Sequence, residues 1–392
     1  MSGLGGFICE TANLFLKLEY NILVLELRGN IAMNILYIGM SSHIGGIESF
    51  IFNTFIRLND LGHNADFIAF EDHICFESEI LRRGANIYHI PFRGSSPLGY
   101  LWGLYVFFSS HKGKYDVVHI NLNSCSAIEP VFFSSLFGFR TIVHSHNAYK
   151  SHRLITSILN KINKNLLPLM TKNFLACSRE AGVAMFGNCS FTFIPNGINI
   201  LKYRYSPQLA HNLKNKYGLE NKLIIGHVGR LNYQKNQKFL IKIFYEIHKR
   251  DPGAKLVLVG EGNDKAELEK EVASLKLKND VLFYGKTDHV EKILNLFDVV
   301  VFPSLFEGLP ISVIEYQANG LRCIISDQIT DQVKATNLVY KMSLNESPAH
   351  WAEKAIELAD QGREDMTDKL LKSSFSINHE CQVLLEYYRS IV

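Results

Sequence analysis

Residues 299–327, V-V-V-F-P-S-L-F-E-G-L-P-I-S-V-I-E-Y-Q-A-N-G-L-R-C-I-I-S-D, leave this chain few choices of fold. The continuous apolar run from Val299 to Phe302, stopped by Pro303, reads as a strand buried on both faces of a parallel sheet. A loop from Ser304 to Pro310 follows, and Pro310 suits the first turn of a helix. Ile311, Val313, Ile314 and Ala318 supply that helix with apolar positions, and Asn319-Gly320 ends it. Cys323 to Ile325 is the next buried strand. Such a strand, loop, helix, strand unit places its loop at the carboxyl end of a parallel strand, where open α/β sheets bind ligands.

Two carboxylates mark this loop and its helix. Glu307 lies on the loop, and Glu315 stands just over one turn inside the helix, so both reach one elongated ligand across the helix N-terminus. In the stretch Gly308, Leu309, Pro310 and Ile311 the free backbone N–H groups, which proline lacks, favour an anion at the same place. Acids beside an anion-binding helix end suit a ligand with both hydroxyls and phosphates, a nucleotide sugar. For two glutamates taken alone, the commoner case is a solvated loop acid and a surface helix acid.

Strand and helix patterns alternate along the rest of the 392 residues, a length for two domains. Strands are predicted at Asn34 to Ile38, Ala65 to Phe70, Ile87 to Ile90, Val117 to Ile120, Arg140 to His144 and Phe174 to Ser178. A second series falls at Lys222 to Val228, Leu256 to Gly260 and Val281 to Tyr284. Helical patterns cover 151–170, 237–249, 348–361 and 378–389. This rhythm argues for an α/β chain of two doubly wound parallel sheets. Domains are expected at 33–200 and 219–375, with a last helix in 376–392. The polar stretch 199–219, carrying Pro207 and Gly218, reads as a linker. Residues 1–32 carry Glu10, Lys17, Glu19, Glu26 and Arg28, and lack both a spanning apolar run and the basic start of a secretory signal. They read as an extension without a catalytic role, with Met33 as the functional start. A net charge of +3 gives no reason to expect nucleic acid, and seven scattered cysteines without C-x-x-C fit a reducing cytosol.

Other groups are candidates for the same ligand. Gly45-Gly46 before a helix makes a phosphate cradle or a plain turn. Arg230 and Lys235, between a strand end and a helix start, suit a diphosphate: arginine binds it bidentately and lysine as a point charge. Gly260 and Gly262 allow close approach by a nucleotide. His144 and His146 close a strand, where a histidine is more often structural. Residues 150–179 carry six basic side chains and no acid, on a helix that either rests on an anionic membrane or simply faces a core. The aromatic stretches 99–108 and 131–139 read either as an apolar acceptor cleft or as core. No D-x-D occurs, so no bound metal is expected.

E-G-L-P-I-S-V-I-E has the E-x7-E pattern of retaining glycosyltransferases with the GT-B fold, and F-P-S-L-F-E-G-L-P resembles glycosyltransferase family 4. The resemblance runs from Met33 to the last helix, with the family's motifs in the family's order. It implies two Rossmann-like domains facing a cleft, an acceptor-side domain first and a nucleotide-sugar domain second. It implies that Gly45, Gly46 and Glu48 (G-G-x-E) face the donor diphosphate and reacting sugar, and that His146 binds sugar without transferring a proton. Arg230 and Lys235 match R-x4-K. By the same analogy Gly260, Lys286 and Thr287 lie in the nucleotide corner, Glu307 holds sugar hydroxyls and Glu315 the ribose. The implied reaction moves a sugar from a nucleoside diphosphate sugar, a substrate rather than a cofactor, to a hydroxyl with retention. The opening G-M-S-S-H-I-G-G-I-E-S-F looks most like capsule and exopolysaccharide transferases, which implies a UDP-sugar and a lipid-linked acceptor, with the protein cytoplasmic or peripheral at the inner membrane face. A nucleotide-sugar epimerase and a catalytically silent partner subunit share this fold. The intact Arg230, Lys235, Glu307 and Glu315 argue against the silent subunit.

Overall fold

A computed structural model describes residues 32–43, 45–147 and 154–392. The 1–32 extension, except Ala32, lies outside the described residues, as do Lys150, Ser151 and Arg153 of the basic segment. The chain divides into two compact units, one holding residues up to Ala176 with Gly182–Thr192 and Leu384–Val392, the other Cys177–Ala181 and Phe193–Val383.

In chain order the elements through the first sheet are β1 (Asn34–Ile38), α1 (Gly46–Asp60), β2 (Asn64–Ala69), α2 (Glu77–Arg82), β3 (Ile87–His89), α3 (Pro97–Ser110), β4 (Val117–Leu122), α4 (Glu129–Leu136), β5 (Thr141–Ser145), α5 (Leu154–Met170), β6 (Asn173–Ala176), α6 (Arg179–Phe186) and β7 (Thr192–Phe193). The sheet order is β3-β2-β1-β4-β5-β6-β7, with β1 parallel to both β2 and β4. Parallel neighbours need long crossovers, which the helices supply, and helices on both faces bury the strands twice over. Leu36, Ile38, Val118, Ile120 and Val143 join one apolar cluster. On alternate positions the rings of Tyr37 and Phe67 meet at a tilt, 5.7 Å apart, and Phe55 of α1 meets Phe67 edge-on at 5.2 Å.

The elements that follow are α7 (Pro207–Tyr217), β8 (Ile224–Val228), α8 (Gln237–Arg250), β9 (Lys255–Val259), α9 (Lys265–Ser274), β10 (Val281–Gly285), α10 (Val290–Ile293), β11 (Val299–Phe302), α11 (Ile311–Ala318), β12 (Cys323–Ser326), β13 (Val339–Met342), α12 (Pro348–Asp360), α13 (Thr367–Leu371) and α14 (Ile377–Ile391). Their sheet runs β10-β9-β8-β11-β12-β13. The double burial predicted for residues 299–302 is visible residue by residue. Val300 and Phe302 pack with Ile224 on one face, and Val299 and Val301 pack with Ile225 on the other.

The structure corrects the linker. Residues 207–217 form α7, and the signals that bound it were present. Ser206 caps it by accepting from Leu209 N at 3.3 Å, Pro207 opens it, and Gly218 closes it at φ 63. Its polar face misled the sequence reading, because only Ala210 is buried outright. The unpredicted strand β13 sits at the sheet edge with Tyr340 exposed, so it lacks the continuous apolar run of the central strands.

Each sheet reverses its winding once, between β1 and β4 and between β8 and β11. Ligands of open α/β sheets bind outside the carboxyl ends of strands at such a switch point. Gly260 and Gly262, on the loop after β9, bear on this geometry. A Cβ on Gly260, at φ +133, would strike the carbonyl oxygen of Gly229, and one on Gly262 that of Leu231. Their missing side chains admit the neighbouring loop after β8, which carries Arg230. Gly260→Ala should therefore lower stability by ~2 kcal/mol or more through φ strain and a backbone clash. An unchanged denaturant midpoint would reject this account.

Candidate active site

In the second unit, the loops leaving β8 and β11 are joined by hydrogen bonds before any ligand arrives. Leu305 N donates to Gln234 O at 2.8 Å, Asn236 Nδ2 to Pro303 O at 3.1 Å, and Gln234 Nε2 to Phe306 O at 3.0 Å. Gln237, at the start of α8, donates from Nε2 to Arg230 O at 2.9 Å and lies 3.2 Å from His227 Nε2. His227 Nε2 is then the acceptor, so Nδ1 carries the proton to Val301 O at 3.0 Å. Burial holds this imidazole neutral, its pKa pushed down to about 4.

Between these loops lies an ion pair. Lys235 Nζ stands 2.6 Å from Glu307 Oε1, and the two side chains are only 15% and 8% exposed. Gln234 Nε2 donates to Glu307 Oε2 at 3.2 Å, and the ammonium lies 4.7 Å from the Phe302 ring centroid. Enclosed charges of this kind are held by each other, and removing one partner strands the other at a cost of ~3–5 kcal/mol. Arg230 is exposed, and its guanidinium has no hydrogen bond or ion pair among the described residues. Beside them α11 begins at Pro310 with no side-chain cap, and the N–H groups of Gly308 and Leu309 have no partner among the described residues. A Cβ on Gly308 would meet nothing within 4 Å. Leu309 and Ile311 turn their side chains onto the core, so only their backbone is available to a ligand.

Glu315 lies within α11, half-buried, and accepts from Tyr203 Oη at 2.8 Å. Burial raises its pKa, opposed by the Tyr203 hydroxyl. Tyr203 ends a short 3-10 turn, Ile200–Tyr203, in the stretch taken as linker, so its part went unread. Lys286 is exposed after β10, and the neighbouring Thr287 accepts from His289 N at 3.1 Å.

In the first unit, the loop after β1 leads into α1 with Gly45 as an uncapped N-cap. Glu48 is buried, and its Oε1 accepts from Ser41 Oγ at 2.7 Å. It thus ties the loop before the Gly45-Gly46 turn to the helix. A Cβ on Gly46 would meet nothing within 4 Å, so the fold itself does not require a glycine there.

The histidines form a line. Tyr388 Oη lies 2.6 Å from His119 Nδ1, His119 Nε2 is 3.2 Å from His144 Nδ1, and the rings of His144 and His146 are 4.1 Å apart. Phe50 of α1 meets His144 edge-on at 4.8 Å. Asn121 gives Nδ2 to Ile38 O and leaves Oδ1 2.8 Å from His146 Nε2, which fixes that nitrogen as the protonated one. His119, in D-V-V-H-I-N, escaped the sequence reading because a histidine inside a buried strand carries no motif. Burial pushes His119 down to about 3 and His144 well below its ordinary value, and shifts His146 in the same direction.

These depressed values set a pH dependence. An unfolded histidine titrates near ~6.5. From there down to the folded values the unfolded chain binds more protons, so stability falls as pH falls, by up to about 1.4 kcal/mol per pH unit for each buried histidine. Melting temperature should drop between about pH 7 and about pH 5. His144→Asn should flatten that slope, and an identical slope in the variant would overturn the assignment.

Comparison with known proteins gives the family. The family model for glycosyltransferase family 4 matches residues 44–200, and that for glycosyl transferases group 1 matches 211–365. EpsF of Bacillus subtilis (strain 168), a glycosyltransferase by name, is 31% identical over 369 residues, which span 90% of this chain and 96% of EpsF. The UDP-Gal:alpha-D-GlcNAc-diphosphoundecaprenol alpha-1,3-galactosyltransferase of Escherichia coli is 30% identical over 233 residues, 55% of this chain and 59% of that one. Among solved structures, Anabaena Alr3699/HepE in complex with UDP and glucose superposes with a TM-score of 0.73 at 20% identity, covering 91% of this chain and 100% of that one. The chain is a glycosyltransferase of family 4, built on the GT-B fold.

Proposed function

We propose that the protein moves a sugar from a UDP-sugar to a hydroxyl of a lipid-linked glycan in capsule or exopolysaccharide synthesis, with retention at the anomeric carbon and without a bound metal. The observation that carries this reading is the Arg230, Lys235 and Glu307 group at the β8/β11 switch point. It offers an unpaired cation for a diphosphate beside an acid already neutralised by a second cation. The donor and acceptor classes follow the galactosyltransferase of Escherichia coli, whose name gives UDP-Gal and a diphosphoundecaprenol acceptor.

In this reading Arg230 grips the diphosphate bidentately, and Lys235, with two further N–H donors beyond its bond to Glu307, adds a point charge. The free N–H groups of Gly308 and Leu309 and the turn at Gly45-Gly46 add backbone donors. Glu307 accepts from sugar hydroxyls, Glu315 uses its second oxygen for the ribose, and His146 contacts the sugar. Lys286, Thr287 and Gly260 border the base, and Glu48 holds the glycine turn in place. The acceptor oxygen bonds to the anomeric carbon on the face the diphosphate leaves. The C–O bond to the diphosphate breaks, and the acceptor proton passes to a phosphate oxygen. No protein general base is required. The protein's task is to stabilise charge on the leaving diphosphate. Such an acceptor and donor place the reaction at the cytoplasmic face of a membrane.

The test is transfer by the full-length protein from a panel of UDP-sugars to a polyprenyl diphosphate glycan, with EDTA present and the product anomer read by NMR. Glu307→Ala should lower turnover on the order of 10²-fold or more, and Arg230→Ala should lower kcat/KM for the donor by a similar factor. Near-normal rates in both variants reject the site. A donor epimerised without acceptor, or an inverted product, rejects the reaction.

A further inference from the structure

Helix α3 has the sequence P-L-G-Y-L-W-G-L-Y-V-F-F-S-S, with no charged residue in 14. A helix apolar all round belongs in a core or in lipid. This one is in a core on one side only. Tyr100, Leu104, Phe107 and Phe108 are buried in the first unit's cluster, while Leu98, Leu101, Trp102, Tyr105 and Val106 are exposed, Leu98 at 82% and Trp102 at 66%. The exposed face continues. α3 packs on α4 and α4 on α5. Phe132 and Leu136 of α4 are exposed, as are four apolar side chains of α5, with Leu169 at 81%. Half of the large apolar side chains exposed among the described residues lie on these three helices, a tenth of the chain. Soluble surfaces rarely gather apolar side chains in this way without a partner.

Charge selects the partner. The only acid on the three helices is Glu129, and Arg93 neutralises it at 2.8 Å. Three cations are exposed, Lys112 just beyond α3, Lys161 between Ile158 and Ile162 on α5, and Lys172 just beyond Leu169, while Lys164 of α5 donates to the carbonyls of Val183 and Ala184. A second copy of the chain docked through this face would set these like charges together, whereas anionic headgroups complement them. No helix among the described residues is long and apolar enough to cross a membrane, and α3 keeps its other face in the core. It can only lie in the interface plane, where tryptophan and tyrosine are favoured. We infer that the exposed face of α3, α4 and α5 seats the protein on an anionic bilayer, with Leu98, Trp102 and Leu169 entering the acyl boundary. This deepens the lipid-linked acceptor reading and rests on it for its setting, but vesicle binding is measured without donor or acceptor.

The chain supplies its own probe. Of its two tryptophans, Trp351 is fully buried and Trp102 is on this face. The full-length protein is mixed with vesicles of equal parts phosphatidylglycerol and phosphatidylcholine, and with phosphatidylcholine alone. The expected result is a blue shift of Trp102 emission and co-sedimentation with the anionic vesicles, weakened as salt rises from about 0.1 M to about 1 M. Leu98→Ser combined with Leu169→Ser keeps the probe and should lower partitioning at least about tenfold. Lys161→Glu should lower it less, and Leu282→Ser, in the second unit, should leave it unchanged. Transfer to a water-soluble acceptor should be unaffected in the Leu98/Leu169 variant, so loss of vesicle binding is separable from loss of catalysis. Wild-type protein that neither shifts nor sediments overturns the inference, as does a Leu98/Leu169 variant that binds normally. Self-association through this face without vesicle binding overturns it in favour of a second copy.

Discussion

Parallel pairing of β8 with β11 is the constraint on which the second unit depends. Val299 and Val300 lie in register with Ile225 and Gly226, and both faces of the pair are covered. With both faces closed, only strand ends remain for chemistry. At the carboxyl ends the connections leaving the two strands run to opposite sides, because the winding reverses there. The polar side chains gather in that opening and the loops carrying them are joined to one another. The same logic applies to β1, whose loop carries the Gly45-Gly46 turn, and to β4, which carries Asn121 near its carboxyl end.

The molecule then keeps ionisable groups out of water in three ways. Lys235 and Glu307 hold each other charged. His119, His144 and His227 are held neutral by burial, and at His227 hydrogen bonds to Val301 O and Gln237 select the tautomer. Glu315, with a raised pKa, leans on the Tyr203 hydroxyl. Arg230 is the contrast, exposed and unpaired among the described residues. A site prepared this way pays its desolvation during folding, so an arriving diphosphate meets donors already fixed in place.

Most of the fold was legible because double burial writes itself as continuous apolar runs. β1 and β11 were read to the residue, and the other central strands to within a few positions. The misreadings have physical causes. α7 is mostly solvated and β13 is an edge, so neither carries a buried face strong enough to print a pattern. α3 was ambiguous between core and cleft because all its positions are apolar, and it proves to be core on one side and bare on the other.

The sequence by itself determined the strand and helix alternation, the family motifs and the identity of the charged candidates, because these depend on residue type and near spacing. Only the tertiary structure decided that Lys235 is paired while Arg230 is exposed, that Tyr203 supports Glu315 from 112 positions away, and that His119 joins His144 and Tyr388. It also decided that Gly260 and Gly262 make room for the backbone of the loop after β8. Those facts turn on which side chains share a volume after the sheet has formed, and no local pattern in the chain records that.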